Sequence, residues 1–543
     1  MDSISQIPQE ILEQILYLSL PPLFQGQQGP LNPHTPFVKD PFTYQQEFDA
    51  TFPLTFGIAR FRTTLRLVCK EWNSLILDSP KLWSRLEIRA NEFIEPEDPD
   101  RLRIILGRSK TMDLEIKLQL AKRGRYDGAS YERYWEILEE DYMKGTLKQS
   151  SNEDVTKVAK GIQSVISILR SESYRIRVLI LYYTNYGYGI FTKDFFPRNI
   201  SITMPRLEYL FGSFLEPHSF ASGIEQVTGA IDAPRLRSCG LHVICGGIWV
   251  SITPSSLLNI TSLSAVFDPT DFQKTLKLLA GCHGLKELSW GISPWNDWGN
   301  FASNGPPRIS TDLKFPLLRS LHLKIDNNKE ATSHLFNDVA NSLHAPQLRS
   351  LTIEGGQHST PVRWIGLFLR RNPQLHELCI SLFHLQGCPE DLLSPLVELR
   401  TLILSQMEIS NAFLQSIFSG SHLPSLNKFV IENPIPGWAV SRTLLRIIKD
   451  QIVQTTAARV QFHIWTDGHV YVNTLPWYSR IISRSVSTDQ VERNYLELLE
   501  LAEENPEIVQ WYKWDRSWSP RWTRRFGEGL KEMTREMEKL AQG

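Results

Sequence analysis

Apolar positions in the first ninety residues fall at helical spacing in two places. In IPQEILEQILYLSL, residues 7 to 20, one stripe runs through Ile7, Ile11, Leu12, Ile15 and Leu16. Pro8 suits a first helical turn, where its missing N–H is not needed, and Glu10 favours the positive end of the helix dipole. Pro21-Pro22 then stops the helix. A second stripe, from 61 to 77, passes through Phe61, Leu65, Val68, Cys69, Trp72, Leu75 and Ile76, with Arg62, Arg66, Lys70, Glu71 and Asn73 mostly elsewhere. It predicts one helix ended by Asp78-Ser79-Pro80, and Lys81-Leu82-Trp83 begins another short segment. Helices this short have little interior, so their apolar surface either caps the following domain or docks a partner. The Pro-, Gln- and Gly-rich stretch from 21 to 60 predicts a surface loop inserted between them.

Past residue 170 the period changes. A pattern of apolar, two variable, apolar, one variable, apolar recurs in RIRVLIL (Ile176, Leu179, Leu181), LLRSLHL (Leu318, Leu321, Leu323), QLRSLTI (Leu348, Leu351, Ile353), QLHELCI (Leu375, Leu378, Ile380), ELRTLIL (Leu399, Leu402, Leu404) and SLNKFVI (Leu426, Phe429, Ile431). Looser copies begin at Leu207, Leu236, Ile260 and Leu285. Steps between copies are about 24 to 33 residues. Helical stretches separate the strand signals, among them Leu335/Val339/Leu343, Val362/Ile365/Leu369, Phe413/Ile417 and Leu445/Ile448/Ile452. A proline often restarts the strand, as at Pro205, Pro234, Pro316, Pro346, Pro373 and Pro424, where it blocks the preceding helix. Each such unit buries its leucines only against its neighbours. The pattern looks like an irregular leucine-rich repeat, although Lys324, Glu354 and Ser381 stand where the usual Asn would follow the last Leu. A rival open α/β sheet with a nucleotide-binding switch point has no support, because neither G-x-G-x-x-G nor G-x-x-x-x-G-K-[ST] occurs.

Residues 91 to 175 form a linking region. RLRIILGRSKTMDLEIKL predicts helix, turn and a strand through Leu114, Ile116 and Leu118, a degenerate first repeat. YERYWEILEEDYMKG predicts an inserted helix or loop, and Val155 to Leu169 an amphipathic helix.

With 42% hydrophobic and 22% charged residues the composition is that of a globular protein. The 58 basic residues balance 59 acidic ones, which gives no bulk attraction to nucleic acid or to an anionic membrane. No apolar run reaches the length of a bilayer span and the start lacks a signal-peptide order, so an aqueous intracellular protein, cytoplasmic or nuclear, is expected. Six scattered cysteines form no CxxC, which suits a reducing compartment and no metal. HExxH, GxSxG and HxE…PCxxC are absent, and Cys282-His283 are sequence neighbours that do not face each other. No catalytic residue, cofactor or metal is expected.

IPQEIL followed by LRLVCKEWNSLILDSPKLW resembles the F-box motif, whose Leu-Pro-x-Glu-Ile-Leu start continues as Val-Cys-(Lys/Arg)-x-Trp and ends in Ser-Pro-x-Leu-Trp. Ile7 replaces the usual Leu, and the inserted loop separates two blocks that are normally close. The resemblance implies docking on a Skp-type adaptor of a cullin–RING ubiquitin ligase. Pro8, Ile11, Leu12, Ile15, Leu16, Leu65, Val68, Cys69, Trp72, Leu75 and Trp83 would form that surface or its immediate support, with Trp72 and Trp83 equally suited to the core. The fold implied is an α/β solenoid. A short α-helical F-box (1–90) and the linking region (91–175) precede a leucine-rich-repeat horseshoe (176–470), closed by a helical, Trp-rich cap (471–543). The alternative is a repeat scaffold that never joins a ligase.

In a horseshoe the variable strand positions line one face. Ser320, His322 and Lys324, then Ser350, Thr352 and Glu354, then Glu377, Cys379 and Ser381, then Thr401, Ile403 and Ser405, are the candidate rows for an unknown protein target. Loop aromatics Tyr186, Tyr188, Trp295 and Trp298 either anchor an interface or cover the solenoid edge. Trp511, Trp514, Trp518 and Trp522, interleaved with Lys513, Arg516, Arg521, Arg524 and Arg525, read as a cap or a docking tail rather than a nucleic-acid site, given the neutral net charge.

Overall fold

The computed structural model describes residues 7–20, 58–89, 98–120, 153–183, 201–215, 230–244, 251–267, 276, 279–292, 313–325, 339, 341–354, 362–381, 392–405, 411–418, 423–432, 442–453, 460–467 and 488–514. They belong to two compact units, one reaching to Leu348 and one beginning at Arg349. Both are α/β, with parallel strands.

The first unit opens with α1 (Gln9–Ser19), α2 (Ile58–Arg66), α3 (Lys70–Asp78) and a 3-10 turn at Pro80–Trp83. There follow β1 (Arg85–Arg89), α4 (Asp98–Arg108), β2 (Leu114–Leu120), α5 (Glu153–Ser171), β3 (Ile176–Tyr183), β4 (Ser201–Thr203), β5 (Tyr209–Leu215), β6 (Ala230–Asp232) and β7 (Ser238–Ile244). The unit continues with β8 (Ser251–Ile252), α6 (Pro254–Leu257), β9 (Ser262–Phe267), β10 (Glu287–Ile292), β11 (Leu313–Lys314), β12 (Ser320–Ile325) and β13 (Leu343–His344). Strands β1, β2, β3, β5, β7, β9, β10 and β12 form one ladder, each paired in parallel with the next. The short strands pair separately, β4 with β6 and β6 with β8, and β11 with β13.

The apolar spacing follows from a turn and a strand placed in series. Leu236, Leu285 and Leu318 each donate a backbone N–H three residues back, to Ala233 (2.9 Å), Cys282 (3.2 Å) and Phe315 (3.2 Å). The next residue bonds to its counterpart one strand earlier: Arg237 to Glu208 (2.9 Å), Lys286 to Thr261 (2.8 Å) and Arg319 to Lys286 (2.8 Å). Two strand residues on the same pleat face then enter the core. Leu179, Leu210, Cys239, Leu263, Leu288 and Leu321 are register partners and all buried. Burial pushes the Cys239 and Cys282 thiols up, Cys282 to about 12, so both stay protonated near neutrality.

In the second unit β14 (Ser350–Glu354), α7 (Val362–Arg371), β15 (Glu377–Ser381), β16 (Thr401–Ser405), α8 (Asn411–Phe418) and β17 (Lys428–Glu432) come first. They precede α9 (Arg442–Val453), β18 (Gln461–Asp467), α10 (Thr488–Glu504) and β19 (Val509–Trp514). Each strand pairs in parallel with the next. Leu351, Leu378, Leu402, Phe429 and Phe462 stack in one buried row. Phe418 of α8 closes over it, stacked on Phe462 at 5.5 Å between ring centroids and edge-on to Phe429 at 5.2 Å.

Four expectations change. The 61–77 stripe is two helices: after the turn bonds Leu67 N–H to Thr64 (3.1 Å) and Val68 N–H to Leu65 (3.2 Å), Cys69 takes extended backbone angles and its sulfur caps α3 by accepting from Trp72 N–H at 3.5 Å. The strand ladder starts at β1, inside the stretch assigned to the helical module: Leu86 and Ile88 are buried, and β1 pairs in parallel with β2. In the second unit the strands continue to β19, inside the stretch assigned to a helical cap, so Trp511 and Trp514 lie on a strand paired with β18. Leu343, expected on a helix, lies in β13 and pairs with Leu313. The loop expected at 21 to 60 lies outside the described residues except for its last three, which open α2. Tyr186, Tyr188, Trp295, Trp298, Trp518 and Trp522 also lie outside them. Among the described residues no helix is long and apolar enough to cross a membrane.

Candidate docking surfaces

Helix α1 carries two apolar rows, not one. Leu12, Leu16 and Leu20, at successive intervals of four, turn toward the molecule: Leu16 and Leu20 are buried and Leu12 packs against the same cluster. Ile11, Ile15 and Leu18 form the adjoining row and are 53%, 45% and 70% exposed. Leu67 and Val68, at the corner between α2 and α3, are 81% and 59% exposed. Scattered exposed leucines are ordinary, but a row along one helix is a surface without a partner in this chain's described residues.

The inner row of α1 is held by a core of Leu75, Ile76, Leu82 and Trp83 from α3 and the 3-10 turn, together with Ile180 of β3. Phe61, Leu65 and Trp72 pack on it half-buried, as do Val178 and Phe211. The helices therefore rest on the face of β3 and β5 opposite the leucine row, since Ile180 and Phe211 alternate with Leu179 and Leu210. Polar contacts fix the seat. Glu115 of β2 accepts from Arg85 at 2.8 Å, from Arg177 and from the Tyr17 hydroxyl at 3.3 Å. Lys81 bonds Gln14 and lies 4.8 Å from the Tyr17 ring centre.

Trp83 sits deeper, its indole N–H donating to the Ile76 carbonyl at 2.6 Å. Arg62 and Arg108 both lie over its ring at 4.6 Å, and Arg62 also donates to the Leu82 carbonyl at 3.0 Å. Burial, reinforced by the Arg108 charge, pushes the Arg62 guanidinium down to about 10.

These contacts divide the residues named for adaptor docking. Pro8, Ile11, Ile15, Val68 and Cys69 are exposed; Leu12, Leu65 and Trp72 are half-buried. Leu16, Leu75 and Trp83 are sealed in the core, so they support a surface and do not form one. Leu18 and Leu67 were missed by the sequence reading, Leu67 because a continuous helix would not bring it to a corner.

The rows named for a target divide likewise. His322, Cys379 and Ile403 are buried and unavailable for contact. Cys379, Ile403 and Val430 are register partners on β15, β16 and β17 and pack into an apolar cluster of their own. Ser289 bonds the His322 ring at 3.3 Å. Ser320, Lys324, Ser350, Thr352, Glu354, Glu377, Ser381 and Thr401 are half-buried, whereas the side chain of Ser405 lies outside the described ones. Ser350 donates to Glu377 at 3.4 Å, and burial pushes the Glu377 carboxyl up against the opposing pull of Ser350 and Lys428.

Among the described residues no group of His, Cys, Asp and Glu has the arrangement of a metal site. No protein-family model matches the chain, and no curated protein is similar to it.

Proposed function

We propose that the chain is the target-recognition subunit of a Skp–cullin–F-box ubiquitin ligase. Its N-terminal helices dock the adaptor, and its leucine-rich-repeat-like solenoid holds a protein target near the ubiquitin-loaded enzyme, where proximity raises the effective concentration. The observation that carries this reading is the outer row of α1. Ile11, Ile15 and Leu18 stay exposed while the inner row and the Tyr17 and Gln14 contacts anchor the helix. An exposed apolar row on a short helix is the feature that an apolar groove on a partner accepts. The order IPQEIL, VCKEW and SPKLW supports the same reading, as do parallel strands that pair one after another with a leucine closing most of the turns before them.

Co-purification of the full chain with a purified Skp-type adaptor tests it. Wild type is retained, and Ile11→Asp with Ile15→Asp weakens retention by about 100-fold, since a charge buried without a partner costs several kcal/mol. Retention unchanged by the double variant overturns the proposed surface. A second reading, a repeat scaffold outside any ligase, is favoured by the packing of Leu16 and Leu20 against Ile180, which makes the helices part of the chain's own core. Absence of a complex at micromolar wild-type protein favours that scaffold.

A further inference from the structure

The residue that enters each of β5, β7, β9, β10 and β12 sits on a common rim, tied by its backbone to the equivalent residue one strand earlier. The bonds run from Thr261 to Arg237, from Lys286 to Thr261 and from Arg319 to Lys286, each 2.8 Å. Neighbouring positions are therefore about 4.8 Å apart, and Arg237 and Arg319 about 14 Å. Arg237, Lys286 and Arg319 are exposed, with Arg235 beside Arg237 in the preceding turn.

Several other rim cations have carboxylates, although Arg400, which enters β16, pairs with none among the described residues. Arg177 reaches Glu115 and, at 3.9 Å, Glu208; Arg206 reaches Asp113. In the second unit Glu398 stands at the position that Arg235 holds in the first, and it answers Arg349 at 3.2 Å and His376 at 3.4 Å. Among the described residues no carboxylate pairs with Arg235, Arg237, Lys286 or Arg319, and Glu287, next to Lys286, forms no ion pair with them.

We propose that this rim binds an acidic, extended peptide segment of a partner protein, with Arg235, Arg237, Lys286 and Arg319 as the recognising charges. An extended chain advances about 3.3 Å per residue, so four or five residues span the row. A peptide fits better than a nucleic acid. Arg237, Lys286 and Arg319 form a single file, and the strand-entry positions beside them (Ser238, Ser262, Glu287, Ser320) offer no rings for bases to stack on. The rim does not involve Ile11 or Ile15, so the inference stands apart from adaptor docking.

A fluorescein-labelled octaglutamate titrated into the full-length protein, read by anisotropy, tests it. Wild type binds, and raising salt from 50 to 300 mM weakens binding by about tenfold, as screened surface charges require. Arg237→Glu, Lys286→Glu and Arg319→Glu together weaken it by at least about 30-fold with an unchanged melting curve, while Ile11→Asp with Ile15→Asp leaves it intact. Should the reversal perturb folding, the corresponding triple Gln variant gives the same readout, with a loss of about tenfold. Equal binding by wild type and the charge variants, or preferential binding of an octathymidylate, overturns the proposal.

Discussion

The hydroxyl of Tyr17 on α1 donates to the carboxylate of Glu115 on β2 at 3.3 Å, across 98 residues of sequence. Arg85 holds the same carboxylate at 2.8 Å and lies 4.8 Å from the Tyr17 ring centre, so helix and sheet share one charged node. Burial raises the Tyr17 phenol above its usual 10.0, and Glu115 adds to the rise. A group whose folded pKa is raised stabilises the fold below its unfolded pKa, and that contribution is lost as pH climbs through the folded value. Wild type is therefore expected to exceed Tyr17→Phe by about 1 kcal/mol between pH 7 and 9. The gap closes above pH 10. Paired urea melts at pH 8 and 10.5 check this, and a gap that widens on the alkaline side refutes the assignment.

The two rows of α1 predict opposite responses to truncation. Leu16→Ala removes a buried side chain from the cluster around Trp83 and costs about 2–4 kcal/mol. Ile15→Ala, one residue away and exposed, changes stability by less than about 0.5 kcal/mol. Chemical denaturation of the two single variants gives the comparison. Similar losses at both positions mean that the outer row is covered as well.

That division could not be read from the sequence. Ile11, Leu12, Ile15 and Leu16 read as one stripe because a 3.6-residue period has no mark separating two adjacent rows; the mark is the buried cluster of Leu75, Ile76, Leu82, Trp83 and Ile180, which the fold gathers around Leu16 and Leu20. The break at Cys69 was equally silent, since LRLVCKEW keeps its apolar spacing through the turn. The repeat spacing was legible because its cause is local: Leu318 closes a turn on Phe315, then Leu321 and Leu323 point inward from a strand. Strand alternation misled at Cys379 and Ile403. Their burial comes from being stacked beside each other and Val430, which depends on register between strands.

Two glycines predict opposite signs on gaining a methyl group. A Cβ on Gly240 would lie 2.4 Å from Cδ2 of Phe211, its register partner on β5, whose ring packs against the α1 core. Gly240→Ala is expected to cost about 1–3 kcal/mol through that overpacking. A Cβ on Gly107, within α4, meets nothing within 4 Å, so Gly107→Ala stabilises by about 0.5–1 kcal/mol through helix propensity alone. Thermal melts of the two variants test the contrast, and a stable Gly240→Ala protein means that Phe211 has room to move.

In the second unit Glu377 works against the fold at neutral pH. Its carboxyl is half-buried on β15, and burial raises its pKa above the ordinary 4.5 more than the Ser350 hydrogen bond and the Lys428 charge lower it. The folded state therefore favours the protonated acid. Below pH 4.5 the group is neutral folded or unfolded and imposes no cost; as pH rises through the raised folded value, ionisation costs stability. Glu377→Gln keeps an acceptor for Ser350 and removes the ionisation. Its urea midpoint is expected to exceed that of wild type at pH 7 and to coincide with it near pH 4. Because every other acid titrates in both proteins, the difference between the two midpoints isolates Glu377. A variant that is less stable than wild type at pH 7 means that attraction to Lys428 outweighs the burial of the charge.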